Sequence, residues 1–164
     1  MTRGNEAANL KPRKMEILKQ LAEIEISYKT KVKPSDRIKI SSSENCFSTL
    51  QNVFNQDKIE HVEEFIILCL NRANKVLGWA KISSGGLAGT VCDPKVIFQI
   101  ALNANASGIV LSHNHPSGNL KPSQEDISMT KRLKDGAKLL DINIIDHIIM
   151  TTEGYYSFED EGIL

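Results

Sequence analysis

The chain has 164 residues, 41% apolar and 24% charged, enough for one domain with a hydrophobic core and too apolar for a disordered chain. Lys plus Arg and Asp plus Glu each total 20, so no global charge draws the molecule to nucleic acid or membrane. The longest apolar runs, 65–70 and 148–150, fall far short of the roughly 20 residues of a membrane-spanning helix, and residues 1–30 lack the apolar core of a signal peptide. A soluble, cytoplasmic chain is expected.

The zero net charge hides an asymmetry. Residues 1–40 hold 10 Lys/Arg against 5 Asp/Glu, and residues 41–164 hold 10 against 15. The first twenty residues read as a solvated tail with one helical stretch around 14–22. Ile24, Ile26 and Tyr28 then alternate with polar residues, a strand pattern with one buried face. The basic arm 1–40 is expected to be a flexible lead-in, and its functional reading is weak contact with nucleic acid or a partner.

Ser41-Ser42-Ser43 supplies N-cap candidates for a helix through about Asn55, with Phe47, Leu50, Val53 and Phe54 on one face. Residues 65–71 and 75–82 read as a β-hairpin around Arg72-Ala73-Asn74, and Gly85-Gly86 breaks the pattern. Asp93-Pro94 opens a second helix whose apolar stripe is Val96, Ile97, Ile100, Ala101 and Ala104. Residues 108–112 form a short buried strand, and Ser123 opens a helix to about Leu140 with Ile127, Leu133, Ala137 and Leu140 at helical spacing. A strand over 142–151, a Glu153-Gly154 turn and a last strand over 155–158 complete an α/β or α+β layered domain around a mixed sheet. Cys46, Cys69 and Cys92 show no C-x-x-C spacing, which suits a reducing compartment better than a disulfide framework or a four-thiolate zinc site.

Chemistry concentrates in Ser112-His113-Asn114-His115-Pro116-Ser117-Gly118, followed by Pro122-Ser123-Gln124-Glu125-Asp126. In extended backbone, residues two apart point to the same side, so His113 and His115 can converge on one ion. Asp126 follows eleven residues after His115, three residues into the predicted helix. The loop between them, punctuated by Pro116, Gly118 and Pro122, can bring that carboxylate to the same ion. Two imidazoles and a carboxylate leave a fourth position for water, the ligand count of a catalytic zinc site. The same residues also read as a turn and as a helix N-terminus with Asp126 at the favourable end of the dipole. Hydrolysis needs a proton acceptor as well, and Glu63 and Glu64 open the most apolar strand. Parity does not choose between them, because both faces of that strand are apolar.

Together, Glu63-Glu64-Phe65, His113-x-His115-Pro116, Ser123 and Asp126 resemble the JAMM motif of the MPN (JAB) metalloprotease superfamily. The wording H-N-H-P-S-G-x-x-x-P-S, with Leu140-Asp141 and Asp146-His147 further on, is similar to its RadC branch. The resemblance runs from about Ser42 to Leu164 and implies the MPN (JAB) fold, a mixed, curved sheet between helices in α/β/α layers. It implies one zinc ion held by His113, His115 and Asp126, and a glutamate hydrogen-bonded to the zinc-bound water. In RadC-like sequences that glutamate stands two residues before the aromatic, which selects Glu63. Ser123 would donate to the developing oxyanion. Full-length members carry an N-terminal helix-hairpin-helix-like region whose pattern residues 1–40 lack, so a basic lead-in over 1–40 and an MPN domain over 41–164 are expected.

The function so implied is a zinc-dependent hydrolase cleaving a peptide or isopeptide amide in a peptide or protein substrate. The alternative is a non-catalytic MPN module binding DNA or a repair or recombination partner; such modules lose ligands, whereas this chain keeps them. A non-haem iron triad also uses two histidines and a carboxylate. The H-x-H…D order and the candidate glutamate base count against it. For His147, on a late apolar strand, the expectation is a satisfied core histidine, with a role behind the metal site or on the substrate side as the functional alternative.

Overall fold

Ser42 opens an α-helix by accepting the Asn45 N–H on its hydroxyl at 3.1 Å, and this helix, α1, runs Ser43–Gln51 in the computed structural model. The structure describes residues 31–85 and 92–164, so the stretches read at 14–22 and 24–28 lie outside the described residues. α1 ends short of Asn55, because the Asn52 N–H already turns back to the Thr49 and Leu50 carbonyls. Beyond that turn Phe54 is still buried and packs in the same apolar cluster as Leu50.

The expected hairpin is present as β1 (Glu64–Leu70) antiparallel to β2 (Val76–Ser84). Asn71 closes its turn by accepting the Ala73 and Lys75 N–H groups on its side chain, while Asn74 takes a φ of 55°. Asp93 caps α2 (Pro94–Asn103) through the Lys95 N–H, with Pro94 as first residue. Of its expected stripe, Ile97 and Ala101 are fully buried, but Val96 faces outward and is exposed. β3 runs Gly108–Asn114, two residues past the expected strand, and so carries His113 within the sheet. Ser123 caps α3 (Gln124–Lys138), which stops before Leu140; Leu139 and Leu140 are exposed rather than core residues. β4 (Asn143–Met150) and β5 (Tyr155–Ser157) end the sheet.

The strand order is β2-β1-β3-β4-β5, with β3 and β4 parallel and every other neighbouring pair antiparallel. α3 is the crossover that a parallel β3–β4 pair requires. One face packs Cys46 and Leu50 of α1 against Ile66, Leu68, Leu70, Val110, Ile148 and Met150. The other packs Ile97 and Ala101 of α2, and Leu133 and Ala137 of α3, against Phe65, Ile67, Cys69, Ile109 and Leu111. The chain is therefore an α/β protein with its mixed sheet between helices. Because β1 runs antiparallel to β3, the start of β1 lies beside the end of β3, where Phe65 pairs with His113. Among the described residues no helix is long and apolar enough to cross a membrane.

Candidate metal centre

His113 is the last inward residue of β3 on the α2–α3 face, 1% exposed, with its ring stacked on that of Phe65. His115 follows just outside the strand, where its N–H donates to the Met150 carbonyl at 2.9 Å and keeps the backbone extended along β4. A turn then reverses the chain: the Gly118 N–H donates to the His115 carbonyl, and Gly118 takes a φ of 76° that a side chain would strain. The loop returns to Ser123 and a capping box. The Ser123 hydroxyl and N–H both donate to Asp126 Oδ2 at 2.7 Å, and the Asp126 N–H donates back to Ser123 Oγ at 3.1 Å. Asp126 thus serves the helix end and faces the histidines at once.

The three side chains converge. His113 Nε2 lies 2.9 Å from His115 Nε2 and 3.3 Å from Asp126 Oδ1, and His115 Nε2 lies 3.7 Å from Asp126 Oδ2. Two ligands at zinc distance and tetrahedral angle stand about 3.3 Å apart. His115 Nδ1 sits 2.5 Å from the Asn119 carbonyl oxygen, which only accepts, so Nδ1 carries a proton and Nε2 offers its lone pair to the cluster. Nitrogen and carboxylate donors aimed at one point suit a borderline cation such as zinc. The residues present fit the ion.

Electrostatics agree with the geometry. Burial would raise the Asp126 carboxyl, but the neighbouring His113 and His115 imidazoles and the Ser123 hydroxyl outweigh it and hold the group well below the usual carboxylate range. The Asp126 carboxylate facing it raises His115 above an ordinary imidazole against the cost of its burial, with smaller contributions from the Asn119 carbonyl and the Glu63 charge. Cys92 borders the cleft, and burial pushes its thiol up to about 12. Cys46 and Cys69 are also free thiols, raised by burial to about 12 and about 11.

A cleft of about 210 Å³ opens onto His113 and Asp126, and Glu63 and Phe65 line it with Glu125 and Arg132. Glu64 points the other way. It is 5% exposed and ion-paired with Lys81 at 2.5 Å on the α1 face. Ser123 is not among the residues lining the cleft; it caps α3, its hydroxyl proton directed at Asp126.

Two residues drew no attention in the sequence. Asn114, between the histidines, faces α1 and is fully buried; its amide donates to the Ile59 and Val62 carbonyls and accepts the Glu64 N–H, all within 2.8 Å. It holds the backbone on both sides of Glu63. Thr130, one turn after Asp126, is buried and lies 2.7 Å from His147 Nδ1. A polar residue on a fully buried strand, or on the inward face of a helix, was the available signal for both. His147 is fully buried, as expected of a core histidine, yet its Nε2 lies 2.8 Å from His113 Nδ1. Burial and the neighbouring His113 push its imidazole well below the ordinary value, so it is neutral.

Fold and cluster define an α/β domain with a His-His-Asp candidate metal centre on one face of its sheet. The chain matches the RadC-like JAB domain over residues 40–163 and belongs to that family. It is similar to a Flavobacterium johnsoniae protein, 46% identical over 125 residues covering 76% of this chain and 53% of the relative. An Aquifex aeolicus protein is 35% identical over 158 residues, covering 94% of this chain and 66% of the relative. A Methanosarcina mazei protein is 37% identical over 126 residues, 77% of this chain and 54% of the relative. All three are named only "UPF0758 protein". The chain spans about half to two thirds of the length of these relatives.

Proposed function

We propose that this chain is a zinc-dependent hydrolase that cleaves a peptide or isopeptide amide. The observation that carries the reading is the convergence of His113 Nε2, His115 Nε2 and Asp126 within 4.8 Å, beside a cleft that Glu63 also lines. His113, His115 and Asp126 would hold the ion. When bound, zinc supplies a water ionisable near neutral pH and polarises the scissile carbonyl. Glu63 takes the proton from the attacking water and delivers it to the leaving amine. Phe65 walls the cleft beside His113. Ser123 donates to the oxyanion in this scheme, which requires its hydroxyl to turn from Asp126 Oδ2 during turnover.

The test is metal analysis of purified protein joined to a peptide-library cleavage screen. About one zinc per chain and cleavage that Glu63→Gln abolishes are the expected results. Protein purified without chelators and lacking stoichiometric metal would refute the reading. A zinc-loaded chain that cleaves nothing would favour a binding module.

A further inference from the structure

We infer that His147 and Thr130 form a positioning relay that sets which nitrogen of His113 faces the ion. The deduction starts from one backbone carbonyl. Thr130 Oγ1 lies 2.6 Å from the Asp126 carbonyl oxygen, and a carbonyl only accepts, so the single hydroxyl proton of Thr130 is committed there. Thr130 Oγ1 is also 2.7 Å from His147 Nδ1, and with its proton spent it accepts in that bond. His147 Nδ1 therefore carries the hydrogen, and in a ring fully buried between Phe65 and Phe158, where a charge finds no water and, among the described residues, no carboxylate partner, Nε2 keeps its lone pair. That lone pair faces His113 Nδ1 at 2.8 Å, so His113 Nδ1 is the donor. His113 Nε2 is left unprotonated, aimed at His115 and Asp126. Each proton in the chain follows from the one before it.

The relay has two consequences. It starts at the peptide carbonyl of Asp126 and ends on His113, so a single buried circuit ties a helix-borne ligand to a strand-borne one. His147, Thr130 and His113 are 0%, 3% and 1% exposed, which leaves water little access to substitute for a missing partner. The opposite proton arrangement is self-defeating: with hydrogen on His147 Nε2, His113 would accept at Nδ1 and carry its own proton at Nε2, where it blocks the ion. His115 has a plain carbonyl partner at Asn119, whereas His113 depends on a second imidazole whose own orientation must be set.

The relay rests on the reading of His113, His115 and Asp126 as a metal site, and the experiment separates the two. Long-range proton–nitrogen NMR at pH 8 reads the tautomers directly, on metal-free and zinc-loaded wild-type chain. Nδ1–H at both His113 and His147 is expected; Nε2–H at either one overturns the relay without touching the metal reading. Thr130→Val keeps the shape and removes the acceptor, and it is expected to lower zinc affinity by about 10- to 100-fold, as loss of a ligand's supporting bond does. Thr130→Ser restores the hydroxyl and should return affinity and tautomers to wild type. A Thr130→Val chain that melts lower but binds zinc with unchanged affinity would show a merely structural role and refute the relay. Failure of the wild type itself to bind zinc would refute the metal reading instead.

Discussion

Three pairs of adjacent polar residues meet the sheet in different strands, and the fold splits each pair between two faces. Glu63, His113 and His147 lie with α3 around the cleft, whereas Glu64, Asn114 and Asp146 lie toward α1. On the cleft side His113 turns Nε2 to a point it shares with His115 and Asp126, Glu63 lines the same cleft, and His147 backs His113. On the α1 side Glu64 pairs with Lys81, and Asn114 and Asp146 are spent on holding chain. Asn114 ties down the approach to β1, and Asp146 accepts the His147 and Glu159 N–H groups and the Ser157 hydroxyl. The lesson is that a conspicuous buried polar residue is not thereby a reactive one. What separates the faces is whether donors and acceptors are left to face one another or are matched one to one.

Substitutions across this divide should therefore fail in different ways. The largest effect is expected at the ligands: His113→Ala or His115→Ala should abolish the stoichiometric zinc expected of the wild type, and Asp126→Ala should weaken it strongly, both read by metal analysis. Next comes the glutamate pair. Glu63→Gln should keep zinc while turnover falls by about 10²–10⁴-fold, the usual worth of general acid–base catalysis. Glu64→Gln should leave turnover intact and lower stability by about 1 kcal/mol in denaturant titration, because its Lys81 partner is partly solvated. Turnover lost in Glu64→Gln and kept in Glu63→Gln would reverse the assignment of the two faces.

Asn114→Ala tests the α1 side alone. It strands two buried carbonyls and one N–H, so a loss of about 3 kcal/mol in unfolding is expected, with zinc still bound by the folded fraction. Zinc lost from folded, stable Asn114→Ala protein would mean the two faces are not separable.

The smallest effect is a pH signature of the metal-free chain. Asp126 is lowered on folding, so its contribution is present above the unfolded carboxyl value of about 3.9 and is lost as pH falls through the folded value. His115 is raised, so its contribution is full below about 6.5 and is lost as pH rises through the folded value. Melting temperatures of metal-free protein should thus carry a gain between about pH 4 and 6.5 that Asp126→Asn removes. Zinc should move the gain to higher pH, because binding requires neutral His115.

Local chemistry was legible in the chain itself. Ser42, Asp93 and Ser123 mark helix starts because a short side-chain oxygen satisfies an orphan N–H wherever a helix begins. His113, His115 and Asp126 were legible because two-residue strand spacing and a first-turn helix position place donors predictably. Which of two adjacent residues faces the cleft was not legible from the strand pattern, and the family resemblance alone selected Glu63. Period-two alternation sets relative direction, and absolute phase needs one wet face, but β1 and β3 are buried along their whole length on both sides. Only the packing of α1 on one face and α3 on the other decided that Glu63 enters the cleft and Glu64 turns to Lys81. The partnership of His147 with His113 also belongs to tertiary structure, since 34 residues separate them and only the parallel pairing of β3 with β4, with α3 laid across it, brings the rings together.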